Sequence, residues 1–112
     1  MTIEIIVNGE RYVKATEATT EWVLIRTYSA GVHFGVLKRR DGKEVELTTA
    51  RRIWYWDGAA SLSQMAVDGV SKPNNCKFSV LVPSITLTEA IEVIPCTAKA
   101  VKSINGVPEW KQ

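Results

Sequence analysis

The sequence predicts an α+β fold, a mainly antiparallel β-sheet carrying two short helices. Three observations predict it. Most of the chain alternates apolar and polar residues with the period of two that a strand requires. Two pairs of such runs flank Asn8-Gly9 and Asp41-Gly42, the dipeptides best suited to tight hairpin turns. Only two segments, opening at Ser61 and Thr97, place a capping residue ahead of apolar residues at helical spacing. A length of 112 residues predicts one domain over 1–112. Such a chain buries roughly 65% of the surface that its unfolded form exposes.

Taken in order, Ile3 to Val7 and Arg11 to Lys14 form the first hairpin. Thr20 to Tyr28 alternates, with Trp22, Leu24, Arg26 and Tyr28 on one face and Val23, Ile25 and Thr27 on the other. Val32 to Arg39 and Lys43 to Leu47 are the arms of the second hairpin. Arg51 to Trp56 is a further strand whose period sets Arg52, Trp54 and Trp56 on one face and Arg51, Ile53 and Tyr55 on the other. Ser61-Leu62-Ser63-Gln64 has the form of a capping box, and Gly69 is placed to stop the helix it opens. Ser71 to Asn75 reads as a loop. Phe78 to Val82 and Ile85 to Ile94 read as strands separated by Pro83-Ser84. Thr97 caps a last helix that Asn105-Gly106 ends. Trp110 is expected to dock on the body or on a second subunit, since a free indole near a chain end wastes its apolar surface.

Composition narrows the function classes. The apolar share of 46% and charged share of 23% are those of an ordinary globular protein. A net charge of +2 is too small for a protein that grips duplex nucleic acid. No apolar run approaches the ~20 residues of a membrane span, and the first residues lack the pattern of a signal peptide. Cys76 and Cys96 have no metal-binding spacing and read as free thiols of a reducing cytoplasm. No GxxxxGK[ST], GxSxG, HExxH or zinc pattern is present, so neither a cofactor nor a metal site is expected.

Chemistry concentrates between Arg26 and Gly58. This stretch holds the one His, two of four Trp, two of three Tyr and five of six Arg. From Arg26 to Trp56 there are seven Lys or Arg against three acids. Guanidinium groups match phosphate oxygens two at a time and flat rings stack on nucleobases, so the composition suits a ligand with both. Arg26 and Tyr28 point one way at a strand end. Ser29, Ala30 and Gly31 are small enough to let a ligand approach the backbone and its N–H groups. Arg52, Trp54 and Trp56 offer a stacking surface beside a charge. A blander reading stands beside each: a hairpin turn with a packed His33, and a core strand whose arginine reaches the rim. His33 lacks a nucleophile or carboxylate partner in its own motif, Ser61 is read as a plain helix cap, and Lys38-Arg39-Arg40 as a solvated hairpin tip. No catalytic residues are assigned.

Three runs carry a resemblance: R-T-Y-S-A-G-V-H-F-G from Arg26 to Gly35, R-R-I-W-Y-W-x-G-A-x-S-L from Arg51 to Leu62, and I-T-L-T-E-A-I-E-V-I-P-C-T from Ile85 to Thr97. Their order and spacing resemble a family of small phage and prophage proteins that includes the Thoeris anti-defence proteins of the first type. The resemblance implies a sponge. Such a protein binds a nucleotide immune signal of the cyclic ADP-ribose type in the host bacterial cytoplasm and holds it without cleaving it. The resemblance also implies that cyclic oligonucleotides of CBASS systems are bound in some relatives, and hexamers built from dimers. Residue chemistry and family runs coincide at Arg26, Tyr28, Ala30, Gly31, His33, Arg52, Trp54 and Trp56, with Asn75 a weaker addition. A homo-oligomer, a dimer at least, is expected because a small sheet leaves its edges open. The competing classes are a phage structural or host-interaction protein with no small-molecule ligand, and an enzyme acting on a nucleotide or sugar.

Overall fold

The computed structural model describes residues 21–112. The hairpin expected around Asn8-Gly9 lies outside them. The described residues form one six-stranded antiparallel sheet with two helices, a mainly β α+β fold. The strands are β1 (Trp22–Thr27), β2 (Val32–Asp41), β3 (Glu44–Tyr55), β4 (Lys77–Phe78), β5 (Val82–Leu87) and β6 (Ala90–Pro95). The helices are α1 (Leu62–Asp68) and α2 (Ala98–Asn105), with a 3-10 turn at Pro73–Asn75.

β3 is the hub. One edge pairs with β2, and the other takes β5 along its first half and β4 along its second. β1 joins β2 to β6. The edge strands β5 and β6 are therefore consecutive in the chain, linked by only Thr88-Glu89. Such a short link forces the sheet to roll. Two hydrogen bonds hold the roll, from Ala90 N to Lys43 O (3.0 Å) and from Tyr28 N to Glu89 O (2.9 Å).

Rolling makes two cores. Val23, Ile25, Val45, Leu47, Ala50, Leu87 and Ala90 fill the inside of the curl. Leu24, Phe34, Ile53 and Phe78 meet Met65, Ala66, Ala100 and Ile104 of the helices on the other face. β1 is thus buried on both faces at Val23, Leu24 and Ile25, although its alternation reads as that of a strand with one wet face.

A bulge decides which side chains reach which core. Phe34 pairs with Arg51, but Val36 pairs with Thr48, leaving one extra residue in β3. Thr49 absorbs it with φ +51°. Before the bulge the odd residues Val45 and Leu47 enter the curl. After it the odd residues Arg51 and Ile53 face the helices, and Ala50, Arg52 and Trp54 take the other side. Gly35 sits opposite, where a Cβ would lie 3.0 Å from Thr48 O and 3.2 Å from Ala50 Cα, so a side chain there would push the bulge away. The bulge also joins two runs that read as separate strands, Lys43 to Leu47 and Arg51 to Trp56, into the single strand β3.

The helix signals act as their chemistry predicts. Ser61 Oγ accepts from Gln64 N at 3.1 Å, while Gln64 Oε1 accepts from Ala60 N at 2.7 Å, one residue before the cap. Gly69 closes α1 at φ +77°, with Ser103 of α2 where a Cβ would stand. Thr97 Oγ1 accepts from Ala100 N at 3.1 Å, and Gly106 ends α2. Pro83-Ser84 does not break the chain as expected. It lies inside β5, an edge strand among the described residues, where a proline ring costs no ladder hydrogen bond. The breaks fall instead at Ser79–Leu81, which cuts the expected strand Phe78 to Val82, and at Thr88-Glu89.

Arg51 is the keystone of the helix side. It is 3% exposed, and its guanidinium donates to Ser79 O (3.1 Å), Ile104 O (3.0 Å) and Pro108 O (3.4 Å) above the ring of Phe78. Replacing Arg51 by Met removes a donor shared by three carbonyls, of which Ile104 O keeps Val107 N, and is expected to destabilise the fold by about 3 kcal/mol, measured by urea denaturation. Lys at this position is expected to restore less than half of that loss, because an ammonium cannot spread three donors across three segments.

Candidate functional site

His33 and Arg52 face each other as cross-strand partners on β2 and β3, on the side away from the helices. Two cavities flank the pair. The inner one, about 230 Å³, is lined by His33, Ala50, Arg52, Trp54, Ser79, Val80, Val82 and Ile85, with Arg51 at its margin. The outer one, about 390 Å³, is lined by Ser29, Ala30, Gly31, Val32, Arg52, Ile53, Trp54 and Trp56. Arg52 and Trp54 form the wall common to both.

The turn from Tyr28 to Gly31 builds one rim. Thr27 Oγ1 accepts from Ala30 N (2.8 Å) and donates to Gly31 O (2.7 Å), and Gly31 takes φ +82°. The Ala30 N–H is therefore committed, and the turn offers a ligand its small side chains rather than that amide. Ala30 O in turn holds Nε2 of His33 at 2.9 Å. A carbonyl only accepts, so Nε2 carries the imidazole proton and Nδ1 presents a lone pair. Burial, aided by the charge of Arg52, pulls the His33 pKa below its ordinary 6.5, although the bond to Ala30 O opposes this. Neutral imidazole is accordingly the resting form.

Two buried side-chain polar atoms among the described residues have no hydrogen-bond partner: Nδ1 of His33 and Nε of Arg52. Both belong to this one constellation. Buried polar atoms are nearly always paired, so two orphans on cross-strand partners set this constellation apart from the rest of the described residues. The larger groove of about 710 Å³ beside Trp22, Cys96 and Val101 has no such atom.

The indoles divide their duties. Trp54 is 63% exposed and meets the edge of Trp110 at 6.4 Å, so Trp110 docks on the body and is itself covered by Lys77. Trp56, one residue beyond the strand, turns against the helix-side core and donates from Nε1 to Ala59 O at 3.1 Å, leaving part of its surface to the outer cavity. It does not simply continue the alternation of Arg52 and Trp54. Trp22 stacks on Phe34 in that same core.

Six of the nine residues singled out in the sequence come together here: Ala30, Gly31, His33, Arg52, Trp54 and Trp56. Three line neither cavity. Arg26 is paired with Glu92 at 2.9 Å. Tyr28 stands 78% exposed next to the rim. Asn75 donates to Asp57 Oδ2 at 3.1 Å and secures the 3-10 turn. Ser79, Val80, Val82 and Ile85 were not legible as lining residues, since they are ordinary strand residues brought in by the rolling of the sheet. Ser79 Oγ has a bonding role as well, accepting from Arg52 N at 2.8 Å.

A family model described as a domain of unknown function, DUF6948, matches residues 20–104. The chain belongs to the DUF6948 family. No curated protein and no solved structure matches it. The DUF6948 match runs from the start of β1 to the last turn of α2 and contains every residue of both cavities. It stops short of Pro108, which holds Arg51, and of Trp110, which meets Trp54 edge-on.

Charging His33 is opposed in the fold but free in the unfolded chain. The folded state therefore binds fewer protons, and stability is fully present above pH 6.5 and falls as the pH drops below it. Urea unfolding compared at about pH 8 and about pH 5 is expected to lose part of that pH dependence in His33→Gln, which keeps a donor for Ala30 O and has no group to charge. NMR titration of the one imidazole in the chain reads the lowered pKa directly.

Proposed function

We propose that this protein binds a nucleotide immune signal and sequesters it in the host bacterial cytoplasm, releasing it chemically unchanged, as a phage anti-defence sponge. The observation that carries the binding reading is Arg52. Its Nε is buried without a partner between two cavities, with Trp54 and Trp56 beside it. An arginine for phosphate and indoles for bases make the minimal recognition set for a nucleotide. Together the two cavities offer space of the order that small-molecule sites occupy. The signal class, cyclic ADP-ribose or a CBASS cyclic oligonucleotide, follows from the resemblance of the family runs.

Holding rather than cutting fits the side chains present. His33 is kept neutral with Nε2 committed to Ala30 O. Ser79 Oγ is committed to Arg52 N and Val80 O. No carboxylate lines either cavity among the described residues. The nearest nucleophile–carboxylate contact is Ser29 Oγ to Glu89 Oε1 at 2.9 Å, exposed and without an imidazole between them. No helix of the described residues is long and apolar enough to cross a membrane.

A second reading has its own observation. Val80, Leu81, Trp54 and Trp110 leave apolar surface exposed. This favours an interaction protein, or subunit pairing of the sponge into a dimer at least.

Three measurements test this reading. Arg52→Ala is expected to weaken nucleotide binding by roughly 1.5–3 kcal/mol in titration calorimetry with the fold intact, because its loss removes a charge-assisted bond rather than core packing. Signal loaded, washed and released by heat is expected to activate its effector in full. A product peak that increases with incubation would assign an enzyme instead and direct attention to Ser29 and His33. Light scattering at micromolar concentration is expected to give at least twice the chain mass of 12.4 kDa, and a monomer overturns the oligomer.

A further inference from the structure

The inner cavity is too small to hold a whole nucleotide. At about 230 Å³ it takes one fragment, while the outer cavity across Arg52 takes the rest. Which fragment enters is decided by its chemistry. Ala50, Val80, Val82 and Ile85 give it apolar walls. The residues that line it bring one buried acceptor without a partner, Nδ1 of His33, and one such donor, Nε of Arg52, both closed off from solvent. Ser79 Oγ, the other polar group on the wall, is already bonded to Arg52 N and Val80 O.

We propose that the inner cavity is a sugar subsite, in which one ribose hydroxyl donates to Nδ1 of His33 and accepts from Nε of Arg52. This assignment rests on the nucleotide reading above and goes further by saying which part of the ligand enters. A hydroxyl is both donor and acceptor and answers both orphaned atoms at once. An ionised phosphate does not. It has no proton for Nδ1, and its oxygens would face a lone pair on a ring that burial and Arg52 keep uncharged. The His33 ring is fully buried, so a hydroxyl reaches Nδ1 by displacing less of the wall than a flat nucleobase would. The carbon skeleton of a ribose suits the valine and isoleucine walls, as its hydroxyl suits the floor. Phosphate is left to the outer side of Arg52, where the guanidinium borders the larger cavity and Trp54 offers its ring.

The experiment combines ligand and side-chain deletion. Titration calorimetry uses cyclic ADP-ribose, ADP-ribose and a cyclic dinucleotide, each with analogues in which one ribose hydroxyl at a time is replaced by hydrogen. The protein variants are His33→Gln and His33→Asn. Gln extends a donor towards Ala30 O but removes the acceptor at Nδ1. Asn places an oxygen near the Nδ1 position. The parent chain is expected to lose about tenfold in affinity for one deoxy analogue, the share of one hydrogen bond. His33→Gln is expected to lose about tenfold for the intact ligand and to bind the two forms alike, with the discrimination partly returned in His33→Asn. The Nδ1 nitrogen resonance of the parent is expected to shift on loading with the intact ligand and to stay in place with that analogue. Nucleotide binding with an unchanged deoxy penalty in His33→Gln overturns the sugar subsite and leaves the nucleotide reading standing. Failure of the parent chain to bind any ligand of the panel overturns the nucleotide reading and the subsite with it.

Discussion

The structure depends on a charge buried where no opposite charge touches it. Arg51 points into the helix-side core and is held by three backbone carbonyls from three separate segments: the residue after β4, the last turn of α2, and the chain beyond it. Burial pulls its pKa down, and nearby Glu109 pulls it up, but a guanidinium keeps its proton in either case. The cost of desolvation is offset because the carbonyl at Ile104 lies at the negative end of a helix and because every partner is a full acceptor. The clasp works beside the Ser103 bonds that tie α2 to Val70 and the Trp110 N bond that ties the C-terminal residues to Phe78 O. With it, β3 becomes the element to which the rest is fastened.

The same strand places the next residue on the opposite task. The bulge at Thr49 turns Arg51 inward and leaves Arg52 facing the cavities. Adjacent arginines thus differ in kind, one satisfied by the fold and one left with an orphaned nitrogen. The local excess of positive charge in the sequence is similarly sorted by geometry. Arg26 is neutralised by Glu92, Arg39 by Glu44 and Glu46, and Lys38 approaches Glu46. A count of charges along the chain sees an electropositive stretch, whereas the fold pairs part of it, buries Arg51, leaves Arg40 and Lys43 exposed and sets Arg52 between two cavities.

What was legible followed local rules. Asp41-Gly42, Ser61, Gly69, Thr97 and Gly106 act within a few residues of themselves, so their chemistry reads directly as turns and caps. The alternation of Arg52 and Trp54 also survives, because it lies wholly beyond the bulge. Illegible were features set by distant pairing. The roll of the sheet brings Val80, Val82 and Ile85 to Arg52, and nothing in their own neighbourhood signals it. Pro83 reads as a breaker only to an observer who does not know that its strand lies at an edge. Tyr28 and Arg26 fit the chemistry of a ligand as well as His33 does, and only the direction of each side chain separates them.

The hub position of β3 also orders assembly in time. The floor of the cavities, His33 against Arg52, belongs to a hairpin of neighbouring strands that closes around Asp41-Gly42. The wall at Ser79 requires contact across 27 residues, and the Arg51 clasp on Ile104 across 53. Loop-closure entropy grows with separation, so the hairpin forms first, the wall next, then the clasp and, across 66 residues at Arg26 and Glu92, the closing of β6 on β1. The two orphaned atoms therefore meet before anything shields them. Until Arg51 finds its carbonyls, the folding chain carries a half-built site on an open ribbon with a bare edge, the stage at which it is most exposed to pairing with another copy of itself.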